Sequence, residues 1–63
     1  MSMTRAEFVQ FAEDVGEIYD VLDERKKKKL WQMTEFFDKS ANDKKRHIAN
    51  EILKVAKKWR DEA

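Results

Sequence analysis

Apolar residues recur along this chain with a helical period. In the first third they fall at Phe8, Phe11, Ala12, Val15, Ile18, Tyr19 and Leu22. At about 100° per residue these positions share an arc of about 120°. Glu7, Glu13, Asp14, Glu17 and Asp20 lie outside that arc. The pattern predicts an amphipathic helix with an acidic outer face. Its start is marked by Thr4 and Glu7, spaced as a T-x-x-E capping box. Gly16 is placed to end a shorter helix, but the stripe keeps its phase across it. Ending there would also set Glu13 and Asp14 against the negative end of the helix dipole. A helix continuous through Gly16 is therefore expected.

The last third carries a second stripe: Ile48, Ala49, Ile52, Leu53, Val55, Ala56 and Trp59. These cover a wider arc of about 160°, enough to contact two neighbours. His47, Asn50, Lys54, Lys57 and Lys58 fall opposite and are expected to be solvated. "KSAND" (39–43) supplies the turn before this helix, with Ser40 or Asn42 as its N-cap.

Between them, Leu30, Met33, Phe36 and Phe37 lie on one side of a middle segment and are its expected core residues. Two architectures fit. If Asp23 caps a new helix, the chain is a three-helix bundle with helices at about 5–22, 24–39 and 43–61. If it does not, one helix runs from 5 to 39, about 52 Å long at 1.5 Å per residue. The C-terminal helix would then cover half of it, and a second copy would be needed for the rest. Lys26 and Lys29 would interrupt that long seam and have to snorkel. The three-helix bundle is preferred for this reason. With no proline, one glycine and no period-two run, both versions are all-α.

Composition narrows the function. A 63-residue chain is a single small domain with little core, so its stability is marginal and both monomer and homodimer are open. Without cysteine it holds no disulfide or thiolate metal site, and one histidine gives no zinc spacing. No metal or cofactor is expected. A single glycine rules out a Gly-rich phosphate loop. Paired carboxylates need a cleft that isolates them from water, which so small a bundle rarely provides, so an enzyme is not expected. No apolar run of about 18 residues occurs and the N-terminal segment is not signal-like, so the expectation is no membrane partner and a cytoplasmic or otherwise intracellular setting.

The net charge of +1 conceals a split. Residues 1–24 hold one cation against seven acids, and residues 25–63 hold thirteen cations against six acids. Five adjacent cations, Arg25, Lys26, Lys27, Lys28 and Lys29, form the strongest local signal. At a helix start they oppose the dipole, a cost an anionic partner relieves. Trp31 follows, about 100° from Leu30 and off the core stripe, which makes it either the edge of the core or an exposed anchor. Trp59 lies mid-stripe and is expected in the core. Lys44, Lys45, Arg46, Lys54, Lys57, Lys58 and Arg60 make the last helix basic. Lys44, Lys45, Arg46, Lys54, Lys57 and Lys58 are candidate phosphate contacts, although the turn lacks the glycine of a helix-turn-helix and the polar strip is narrow.

The expectation is a small, non-enzymatic interaction or regulatory protein. It would bind a larger protein partner through the basic run and Trp31. A nucleic-acid-binding regulator is the alternative. The acidic face of the first helix is a second surface, suited to the basic side of another copy.

Overall fold

Thr4 and Glu7 start the first helix as the capping box requires. The Glu7 N–H donates to the Thr4 hydroxyl at 3.1 Å, and the Thr4 N–H donates to a Glu7 carboxylate oxygen at 3.1 Å. In the computed structural model, which describes residues 3–62, helix α1 spans Arg5–Val21 and runs unbroken through Gly16. It ends at Leu22, whose backbone is extended and whose N–H donates to the Tyr19 carbonyl at 3.2 Å. Asp23 is extended as well, and its carboxylate accepts the Lys26 N–H at 2.9 Å. Helix α2 follows over Glu24–Lys39. The uninterrupted helix from 5 to 39 therefore does not form. Two extended residues turn the chain, the Asp23 cap supports the new helix start, and Leu22 is buried at the bend.

The second connection departs from expectation in detail. Ser40 does not cap the third helix; it closes α2, with both its N–H and its hydroxyl donating to the Phe37 carbonyl. A single 3-10 turn, Asn42–Lys44, comes next, and no side chain caps it. Helix α3 then runs Lys45–Glu62. The expected start near 43 is thus taken by the tighter turn, held by the Lys44 N–H on the Ala41 carbonyl at 3.0 Å.

Helix α3 packs against both other helices, whereas α1 and α2 touch each other far less. The core is Phe11, Ile18 and Leu22 from α1 and the bend, Leu30 and Phe37 from α2, and Ala49, Ile52 and Ala56 from α3. Two of the three residues from α3 are alanines, which lets the larger side chains of α1 and α2 settle onto α3. Phe37 is the hub. Its ring lies 4.6 Å from that of Phe11 and 5.9 Å from that of Phe8. The result is a flat three-helix bundle with Cα extents of 33 × 19 × 14 Å. No helix among the described residues is long and apolar enough to cross a membrane.

Phe8, Ala12 and Phe36, on the expected apolar faces, are exposed instead. Phe36 is 65% exposed. It projects about 120° around α2 from Leu30, too far for either neighbouring helix to cover. Trp59 is half-buried at the edge of the core.

Candidate interaction groove

The weak contact between α1 and α2 leaves an open apolar groove on the side away from α3, with a volume of ≈ 370 Å³. Its floor is Phe11, Leu30 and Phe37. Phe8, Ala12, Val15, Gly16 and Tyr19 form the α1 wall; Trp31, Thr34 and Asp38 form the α2 wall. Trp31 is 59% exposed and Phe8 45% exposed. Trp31 is therefore an exposed aromatic on the groove lip. Sequence reasoning singled out Trp31 but not the opposite wall, because the α1 stripe reads as ordinary core. The informative signal there was Gly16 beside Ala12, the point where that stripe loses bulk.

The basic run does not form one patch. Over one and a half helical turns its side chains point in different directions. By phase, Lys27 and Lys28 lie on the groove flank of α2, and Arg25, Lys26 and Lys29 on the other. Lys26 and Lys27 are half-buried, and Arg25, Lys28 and Lys29 are exposed. The Lys27 ammonium lies 5.4 Å from the Tyr19 ring centroid across the groove end and 3.9 Å from the Glu24 carboxylate.

The basic residues of α3 divide between structural and outward roles. The Lys45 ammonium donates to the Phe37 carbonyl at 2.7 Å and to the Asp38 carbonyl at 3.1 Å, and lies 4.6 Å over the Phe37 ring. It satisfies carbonyls at the negative end of α2. Arg46 binds Glu7 in two-pronged fashion, Nε to Oε2 at 2.9 Å and Nη2 to Oε1 at 2.7 Å. That pairing, with the Thr4 N–H, holds the Glu7 carboxyl down at about 2. Lys45 and Arg46, both expected as phosphate contacts, thus join α3 to α2 and α1 respectively. Lys44, Lys54, Lys57 and Lys58 remain exposed. His47 is exposed beside a second hollow between α2 and α3, of ≈ 420 Å³, that also holds Phe36. No cluster of three or more metal-ligating side chains occurs among the described residues.

Comparison with protein-family models, curated proteins and solved structures returns no match to this chain.

Proposed function

We propose that the protein is a small, non-enzymatic interaction module whose α1–α2 groove receives the apolar face of a helix from a protein partner. The observation that carries this reading is Trp31 standing exposed on the lip of an apolar groove that its own fold leaves open. An exposed Trp beside a preformed apolar cleft is the usual anchor of a helix-in-groove contact. Lys27 and Lys28 at one end of the α2 rim, and Glu35 and Asp38 at the other, favour an occupant with its own alternating charges.

A photo-crosslinking side chain placed at Thr34 in the groove, and separately at Lys54 on the outer strip of α3, tests this in cells expressing the protein. Protein adducts from position 34 that disappear with Trp31→Ala support the groove. Adducts to nucleic acid from position 54, with none from 34, overturn it.

A nucleic-acid reading draws on Lys54, Lys57 and Lys58, which share the outward strip of α3 opposite Ile52 and Ala56. Arg25 and Lys29 add exposed cations. It predicts binding that falls with log[salt] at a slope near −0.9 per phosphate contacted.

A further inference from the structure

The charges along the groove flank of α2 have an order of their own. Glu24, Lys27, Lys28, Trp31, Glu35, Asp38 and Lys39 fall on that flank by helical phase. Their signs run minus, plus, plus, then Trp31, then minus, minus, plus. Read backwards, every sign inverts. The same flank of an antiparallel copy therefore meets it with opposite charges throughout: Lys28 opposite Glu35, Lys27 opposite Asp38, and Glu24 opposite Lys39. Trp31 lies at the centre.

Helix α1 contributes one opposite pair about the same axis, with Glu13 near its midpoint. Arg5 and Asp20 sit on its groove flank, equidistant from the midpoint between Ala12 and Glu13. In an antiparallel pair they face each other. The two midpoints stand at one level of the bundle. The Phe8–Phe37 and Tyr19–Lys27 contacts show which residues of α1 and α2 are level, and they place the Ala12–Glu13 midpoint beside Met33, within about one residue of the centre of the α2 pairs. One two-fold axis thus serves both helices.

Gly16 supplies an independent observation. A Cβ there would meet nothing within 4 Å, and no described residue has a positive φ. Nothing among the described residues requires glycine here, although glycine in a helix interior costs about 0.5–1 kcal/mol relative to alanine. The antiparallel register sets Gly16 against Val9 of a second copy, and Val9 is an exposed apolar side chain. The missing side chain makes room for it.

Resting on the reading of the groove as a protein-docking face, we propose that the face is covered by a second copy of this chain, groove against groove, rather than filled by a single helix. The two copies pack groove to groove about a two-fold axis. α1 lies antiparallel to α1 and α2 to α2, with Trp31 of each copy beside the axis. An isologous contact of this kind closes on itself as a dimer. The alternative two-fold, which lays α1 on the partner's α2, sets Lys39 level with Arg5, like against like, and takes the α2 flank away from its own reversed copy. Lys28 and Glu35 are both exposed, and neither forms an ion pair among the described residues. Glu13 is the one charge left close to its own counterpart.

Charge swaps read by light scattering over a concentration series test the register. Lys28→Glu and Glu35→Lys alone should each weaken dimerisation about tenfold. The double variant should return to within about threefold of wild type, and mixing the two single variants should give a heterodimer. Gly16→Leu should abolish the dimer while the monomer stays folded by circular dichroism. A wild-type chain that stays monomeric into the millimolar range overturns the dimer. If crosslinks from position 34 to another protein persist, the groove reading survives that failure. A dimer indifferent to Gly16→Leu and to both swaps overturns this register, and crosslinks from position 34 indifferent to Trp31→Ala and Gly16→Leu overturn the groove reading itself.

Discussion

Helix α1 has two flanks that meet opposite fates. On the α3 side, Glu7 binds Arg46, and the small side chains of α3 let the helices close. On the α2 side, Phe8, Val15 and Tyr19 face Trp31 and Thr34 across a gap that neither helix fills. Both flanks are apolar at their base, so hydrophobicity does not distinguish them. What distinguishes them is bulk and charge. Ala49 and Ala56 give way to larger neighbours that fill the space, whereas opposite Trp31 the small Ala12 and Gly16 leave a space that no other described side chain fills. The closed seam stabilises the fold, and the open one is the groove proposed above to take a partner.

The contrast breaks most severely at Phe37, which is buried beneath both flanks. Phe37→Ala should cost about 3–5 kcal/mol, enough to abolish cooperative unfolding in so small a domain. Thermal melts by circular dichroism read this, and a sharp melt near the wild-type temperature would deny the hub role.

The closed seam should also be sensitive to acid. Arg46 and the Thr4 N–H lower the Glu7 carboxyl from 4.5 to about 2. Between those values the unfolded chain binds more protons than the folded one. The stabilisation from Glu7 is therefore complete above the ordinary carboxylate range and is lost as pH falls toward about 2. Urea midpoints across that range should decline for wild type and flatten for Glu7→Gln. An equal decline in both would remove Glu7 from the account.

At the open seam, Gly16→Ala should stabilise the monomer by about 0.5–1 kcal/mol, because its Cβ enters empty space. Urea unfolding at a concentration below dimerisation measures it, and destabilisation would show that the groove is tighter than described. Smallest of all, Trp31→Ala should shift monomer stability by no more than about 0.5 kcal/mol. A loss of several kcal/mol would put Trp31 in the core and remove the anchor.

The helices were legible because their signals are local: a capping box at Thr4, an apolar stripe through Gly16, a cap at Asp23. The last of these decided between one long helix and two, since a carboxylate that accepts the Lys26 N–H stabilises a new start. The site was legible only in part. Trp31 stands off its stripe, and that shows in the sequence. Whether α1 and α2 close over it depends on side chains from all three helices, and no single periodicity carries that. Phe36 misled for the same reason: it shares a side with Phe37, but the neighbours do not extend that far around α2. Lys45 and Arg46 read as surface cations because their partners lie eight and thirty-nine positions away. The sign-inverting order of charges on α2 was present in the sequence, but it acquires meaning only once Trp31 is known to stand exposed at its centre.

The most direct test follows Trp31 itself. In a Trp59→Phe background its fluorescence reports on one side chain. Acrylamide quenching should be strong for dilute monomer and fall as concentration rises and the mass doubles, with emission shifting to the blue. Trp31 equally quenchable before and after the mass doubles would place the contact elsewhere and contradict the central claim.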